Sequence, residues 1–450
     1  MKYHDVVIGF GKGGKTIAGA LGNAGRRVAL IEKSDKMYGG TCINVGCIPT
    51  KSLVHSAQSA AFECVDSKTA YADAAARKTQ LVEKLRGKNF QKLDTNPNVT
   101  VINGTASFLS PHEVEVVTTK GRMTIEAERF FINTGSSPFI PPIKGIDGNP
   151  YVYISETLLD LTVLPERMVI VGGGYIGVEF ASIYADFGTK VTILQDGAVF
   201  LPREDAEIAD AVRENLEKRG ARVLTEVKVQ EVTQADGYAE VRIGTKEGEQ
   251  VLPAEAVLIA TGRRPNTKGL NLEAAGVQVD TRGGIITDDS RTTTAPHIFA
   301  MGDVVGGLQF TYISLDDYRV VASKVLGDGS YTLDKRGAVP YSVFLNPPFS
   351  RVGMSEREAK AAGYQVKIAK LPAAAIPKAQ VLEQPEGILK AVIDADTGKI
   401  LGAHLFCAES HELINLVKLA MDAGLEYTVF KNMIFTHPTM GEALNDLFNV

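Results

Sequence analysis

VVIGFGKGGKTIAGALGNAGRRVALIE, Val6 to Glu32, recurs without a gap as VIVGGGYIGVEFASIYADFGTKVTILQ, Val169 to Gln195. Gly9, Gly11 and Gly14 of the first copy stand where the second has Gly172, Gly174 and Gly177, and Gly25 and Val28 align with Gly188 and Val191. Each copy reads as a short apolar strand, a glycine turn, a helix and a second apolar strand. That is the βαβ unit that sets a pyrophosphate on a helix N-terminus. One glycine permits the tight turn, one lets the backbone approach phosphate, and one lets the helix pack close to the sheet. A single such loop is weak evidence; two in matched contexts predict two dinucleotide sites. The copies differ at the end of the second strand. Glu32 is placed to bond a ribose 2′-hydroxyl, as in FAD or NAD. Its counterpart is Gln195, followed by Asp196 and with no adjacent arginine, so the nicotinamide partner is NADH or NADPH, with the missing basic pair favouring NADH.

Outward from these repeats, the chain has 450 residues, enough for about three domains. Hydrophobic residues make up 44% and charged residues 22%, a globular composition. The 48 basic and 53 acidic residues are scattered and give a net charge of −5, which argues against nucleic acid as a partner. No run approaches the ~18 apolar residues of a membrane span, and Met1–Phe10 reads as a first strand rather than a signal peptide. The expectation is a cytoplasmic protein. Four cysteines are too few for a secreted disulfide framework, so paired cysteines here point to catalysis or metal binding.

Between the repeats lies GGTCINVGCIPTKSL, Gly39–Leu53, with Cys42 and Cys47 at i and i+5 beside glycines that allow a distorted turn. A structural zinc site would need a second Cys/His pair at short spacing, which Cys64 and Cys407 do not provide; both read as small buried residues. Downstream, Ser56–Lys92 reads as long helices. Near the C-terminus, His437 precedes Glu442 by five residues, with Pro438 expected to open a helix. A carboxylate against one imidazole nitrogen would raise the basicity of the other, suiting it to move a thiol proton.

GGTCINVGCIPTK resembles the active-site motif of the pyridine nucleotide–disulfide oxidoreductases, the family of lipoamide dehydrogenase, glutathione reductase and mercuric reductase. The resemblance spans essentially the whole chain, through ATGRRPN (Ala260–Asn266), TAPHIFAMGDV (Thr294–Val304) and HPTMGE (His437–Glu442). It implies an α/β fold with two Rossmann-like dinucleotide-binding domains and a C-terminal α+β dimerisation domain. The expected division is 1–142 with 266–329 for FAD, 143–265 for NAD(P), and 330–450 for the interface of a homodimer. By motif, Cys47 resembles the flavin-proximal thiolate and Cys42 the interchange thiol. Lys51 and Glu179 resemble an ion pair beside the flavin, and Tyr175 the aromatic gate of the nicotinamide pocket. Asp303 resembles the residue on the FAD ribityl chain. Gly40, Thr41, Thr134, Gly135 and Gly302 resemble further FAD positions, and Gly262 one for NAD(P). His437 and Glu442 resemble the acid–base pair that reaches Cys42 of a second subunit.

Two stretches depart from the family pattern: FTYISLDDYR (Phe310–Arg319) stands where a Leu-Thr-Pro-Val-Ala-like helix start is usual, and Phe349 replaces a glutamate. No second C-terminal cysteine pair follows, unlike high-molecular-weight thioredoxin reductase and mercuric reductase. Together with MYGGTCINVGCIPTK these features are similar to bacterial flavoproteins of reactive-chlorine resistance associated with copper(II) reduction. The resemblance therefore implies an acceptor that is a soft metal ion such as Cu(II), held transiently at Cys42 and Cys47, in oxidative-stress defence. Reduction of a small disulfide, of lipoamide or glutathione type, and a flavin-based redox sensor are the alternatives.

Overall fold

The computed structural model describes every residue except Cys64 and Val65, so the reading of Cys64 lies outside the described residues. The chain forms two compact units: Met1–Ser52, Ala75–Ile140 and Gly262–Arg336 in one, and Leu53–Ala74, Pro141–Thr261 and Gly337–Val450 in the other.

In the first unit, strand Lys2–Ile8 lies parallel between Val28–Glu32 and Gly121–Ile132. Val99–Asn103 extends the sheet beyond Val28–Glu32, and Ile298–Ala300 adds a parallel strand beside Phe130–Ile132. Alternate residues of a strand face opposite sides, and here both sides are covered. Val6 and Ile8 pack with Phe108, Phe130 and Ile298, whereas Val7 packs with Ile17, Leu21 and Val321 on the other face. This is why the first repeat reads as unbroken apolar runs rather than alternation.

The second unit repeats the device. Arg167–Val171 lies parallel between Lys190–Leu194 and Ala256–Ile259; Met168 and Ile170 join one cluster, Val169 and Val171 another. The unit also holds an antiparallel five-stranded sheet, Tyr341–Val343, Phe349–Gly353, Ile400–Phe406, Ile388–Asp394 and Val366–Pro372. Helix Ser410–Asp422 packs on it through Leu413, Ile414 and Val417. The α/β expectation is met, as are the helices after the cysteines, Cys47–Glu63 and Ser67–Asp94. Cys407 is fully buried, as expected. One expectation fails: Pro438 opens no helix. Thr439 Oγ1 donates to Thr436 O at 2.8 Å and accepts from Glu442 N at 3.3 Å, closing a turn, and the helix begins only at Ala443.

Lys390, on strand Ile388–Asp394 of the antiparallel sheet, is almost wholly buried, with its Nζ 2.8 Å from carboxylates of Asp205, Glu207 and Glu356. Burial opposes its charge, but these three partners raise its pKa to about 12. Glu207 also feels burial pushing up, yet Lys370 and Lys390 bring it to about 2. Replacing Lys390 by Met would leave three carboxylates around an apolar tip, an expected loss of about 3–5 kcal/mol in denaturant unfolding. Because the folded Glu207 pKa is depressed, its contribution is present above the ordinary value of about 4.3 and is lost as pH falls towards 2.

Candidate active site

The two glycine turns superpose in their physical demands. Gly9 has φ +102° and Gly172 φ +113°, a region that side chains other than hydrogen rarely enter. A Cβ on Gly9 would lie 2.4 Å from Asn133 O, and one on Gly172 2.5 Å from Ala260 O. A Cβ on Gly14 or Gly177 would strike the carbonyl of Gly9 or Gly172 at 2.2 or 2.1 Å. Helices Lys12–Asn23 and Tyr175–Asp186 start at Gly11 and Gly174 with no side-chain cap and no acidic residue in the first turn. Both N-termini thus present backbone N–H groups and a positive dipole end, which fits a pyrophosphate.

At the first turn, Glu32 is buried and its carboxylate accepts from Phe10 N at 2.9 Å and Ser34 N at 3.2 Å. Burial raises its pKa, and these backbone donors partly offset the rise. Gly40, at φ +79°, would bring a Cβ to 2.7 Å from Gly11 Cα, so the cysteine loop leaves directly from the glycine turn. Asp303 follows strand Ile298–Ala300 and accepts from Ser136 Oγ at 2.7 Å. Burial pushes its carboxyl up, while Ser136 and Arg263 pull it down. Thr134 Oγ1 donates to Asn266 O at 2.8 Å, Gly135 lies at φ +72° and Gly302 at φ +73°. The turns, the buried acid and the close-packed loop fit an FAD-sized dinucleotide along Gly9, Gly11, Gly14, Glu32, Gly40, Thr41 and Asp303.

Asn133 was not singled out by sequence. Its Oδ1 accepts from Gly14 N at 2.8 Å, and its Nδ2 donates to Met301 O at 2.6 Å and Ser314 Oγ at 3.2 Å. One buried amide therefore ties two distant segments, at Met301 and Ser314, to the turn. Its only sequence signal is its place after the apolar strand end, beside Thr134 and Gly135.

Cys42 sits in the short helix Thr41–Asn44 and Cys47 begins the 17-residue helix Cys47–Glu63; both are thiols. A hydrogen bond with Cys47, together with burial and the negative charge of Cys47, raises the Cys42 pKa. Cys47 is the more exposed of the two and stands at the N-terminus of its helix, a setting that favours a thiolate. Thr311 Oγ1 lies 3.7 Å from Cys47 Sγ. The neighbouring rings of Phe310 and Tyr312 stack at 5.2 Å, so the unusual FTYISL segment forms an aromatic wall at the thiols. Burial and then the charge of Cys47 raise the Tyr312 pKa.

At the second turn, Gln195 Oε1 accepts from Gly173 N at 3.0 Å and its Nε2 donates to Asp196 Oδ1 at 3.1 Å. Gly262, φ +113°, accepts at its carbonyl from Phe139 N at 2.8 Å within the first unit. Glu179 Oε1 accepts from Phe344 N at 2.8 Å, and Lys51 lies in the helix that Cys47 begins. His437 Nδ1 and Glu442 Oε2 are 2.8 Å apart, the imidazole exposed and the carboxylate mostly covered. Phe349, in place of the usual glutamate, is buried against Tyr341.

The pyridine nucleotide-disulphide oxidoreductase family matches residues 3–317, and its dimerisation domain matches residues 339–448. The chain belongs to the pyridine nucleotide-disulphide oxidoreductases. It is 50% identical over 449 residues to the probable pyridine nucleotide-disulfide oxidoreductase RclA of Escherichia coli, covering 100% of this chain and 99% of that one. Mercuric reductase of Staphylococcus aureus is 34% identical over 98% of this chain and 81% of its own length. Dihydrolipoyl dehydrogenase of Bacillus subtilis is 33% identical over 98% of this chain and 96% of its own. The solved Cu(II) complex of the HOCl-induced flavoprotein disulfide reductase RclA from Escherichia coli matches with a TM-score of 0.95 at 50% identity, covering 100% and 99% of the two chains. As a member of the family, the chain is an NAD(P)H-dependent flavoprotein disulfide reductase with two dinucleotide-binding domains and a dimerisation domain, and it uses FAD. Among the described residues no helix is long and apolar enough to cross a membrane.

Gly9→Ala tests the first site. Its methyl group meets backbone at a positive φ, a cost of about 1–3 kcal/mol. The expected result is a flavin affinity lowered roughly 5- to 150-fold, read as the flavin-to-protein ratio after gel filtration.

Proposed function

We propose that this reductase passes electron pairs from NADH through Cys42 and Cys47 to a soft metal acceptor, Cu(II), as a cytoplasmic homodimer in oxidative-stress defence. The observation that carries the reading is the thiol pair itself: Cys42 hydrogen-bonded to Cys47, the latter at a helix N-terminus beside Thr311. Bound FAD would take a hydride from the nicotinamide and hand its electron pair onward. Residues 1–142 and 266–329 would hold it, with 143–265 holding the nicotinamide dinucleotide and 330–450 forming the dimer interface. Lys51 and Glu179 would orient the redox centre, and Tyr175 would flank the nicotinamide.

The dithiol then gives one electron to each of two Cu(II) ions. One S–S bond forms, two S–H bonds break, two protons leave and two Cu(I) ions result. Thiolates prefer Cu(I), so binding and reduction favour the same product. The Cu(II) complex of a relative sharing half of this sequence supports copper as the acceptor. On the nicotinamide side, Gln195 is tied to Gly173 and to Asp196, and Asp196 Oδ1 also accepts from Gly197 N at 2.8 Å. A carboxylate there disfavours a ribose 2′-phosphate, which supports NADH over NADPH.

The test is purified holo-protein with NADH or NADPH against Cu(II), Hg(II), oxidised glutathione, lipoamide and oxygen. Highest kcat/KM is expected for NADH with Cu(II). Faster turnover of glutathione or lipoamide would reassign the protein to small disulfides. Absence of any cysteine-dependent turnover would make it a sensor.

A further inference from the structure

The loop after strand Lys190–Leu194 and the first turn of helix Ala206–Lys218 carry three acidic residues in REDAE, Arg203–Glu207, and all three face cations of the antiparallel sheet. Asp205 and Glu207 serve Lys390. Glu204 differs, because its side chain is wholly buried and its two oxygens do different work. Oε2 lies 3.4 Å from Arg351 Nη1 and 3.7 Å from the buried His404 Nδ1. Oε1 accepts two hydroxyls, Tyr175 at 2.5 Å and Tyr341 at 2.6 Å, and those two hydroxyls are 3.1 Å from each other. Arg351 is itself pinned, donating to Arg203 O at 2.7 Å and to Glu358.

Tyr175 is the first residue of its helix, immediately after the uncapped Gly174 where the second dinucleotide's phosphates would rest. A half-buried ring at that position would form a wall of that site. We infer that Glu204 is a positioning residue for nicotinamide binding: it anchors the Tyr175 hydroxyl and so fixes that wall in one rotamer, with Tyr341 and Arg351 holding the anchor. This rests on the reading of Tyr175 as a nicotinamide-site residue. Burial alone would raise the Glu204 pKa, but the surrounding donors and the Arg351 charge bring it below the usual carboxylate range, so it accepts as an anion. Charge-assisted bonds of this kind are short and strong, and a preordered side chain spares the ligand the ordering cost.

The experiment measures NAD⁺ affinity of the holo-protein by calorimetry, alongside KM and kcat for NADH and the melting temperature. Tyr175→Phe keeps the ring and removes only the anchored hydroxyl, so it avoids the folding risk of emptying the Glu204 site. It is expected to weaken NAD⁺ binding roughly two- to tenfold and to raise KM by the same factor, with kcat nearly constant. Glu204→Ala should match it, and the double variant should be no weaker than either single one. Glu204→Gln, which still accepts a hydroxyl, should recover most of the affinity. Unchanged or tighter NAD⁺ binding in Tyr175→Phe overturns the anchor, as does a Glu204→Ala effect confined to melting temperature. Should Tyr175→Ala leave NAD⁺ affinity untouched, the placement of Tyr175 at the nicotinamide site fails instead. An effect in Tyr175→Ala that is absent from Tyr175→Phe keeps the placement and rejects the anchor.

Discussion

Cys42→Ser should yield a protein that still binds FAD and is still bleached by NADH, but whose Cu(II) reduction falls by about a thousandfold or more. The replacement is nearly isosteric, and Cys42 is only half-buried, so folding should be preserved. What disappears is the second sulfur. Cys47 keeps its helix N-terminus and Thr311, so it should remain a thiolate beside the flavin, visible as a long-wavelength thiolate-to-flavin absorbance. The serine hydroxyl can take over the hydrogen bond that Cys42 makes to Cys47, so the variant removes the redox sulfur and keeps a polar partner for Cys47. Rapid-mixing absorbance separates the two half-reactions. Copper reduction at the unaltered rate would show that electrons bypass the sulfurs, and the relay would be wrong.

The second large effect is expected for His437→Ala: thiol-to-acceptor steps slowed about 10²–10⁴-fold, the usual range for loss of a general acid–base, with flavin bleaching by NADH unchanged. The geometry motivates the asymmetry. With Glu442 Oε2 2.8 Å from Nδ1, the imidazole is oriented so that Nε2 is the nitrogen left to meet a thiol. The ring is about two-thirds exposed, so no packing holds it in place of that carboxylate. In the proposed homodimer it would serve the Cys42 of a second copy. Stopped-flow rates for the two half-reactions, with sedimentation to confirm the assembly, decide the matter. Collapse of the NADH step with an intact acceptor step would reject the assignment.

Much of this site is local, and therefore readable. Gly9 and Gly172 are required by backbone geometry at a strand–helix turn, and the demand is met within a few residues on either side, so the duplication is visible as a pattern. The cysteine pair is local too, since the two lie only five positions apart. Pro438 illustrates a local reading that went astray: proline suits the first turn of a helix, but the Thr436–Thr439–Glu442 hydrogen bonds close a turn there and delay the helix to Ala443.

By itself the sequence determined the two Rossmann units, the neighbouring cysteine pair and the His437–Glu442 couple, because each is written in short-range spacing and residue type. Only the tertiary structure decided that Asn133 ties Met301 and Ser314 to the first glycine turn, that Lys390 neutralises three acids, and that Glu204 anchors Tyr175 together with Tyr341. Those partners lie from tens to nearly two hundred residues apart. Buried polar groups must find a partner somewhere, but nothing in the chain's local periodicity says where the fold will bring it.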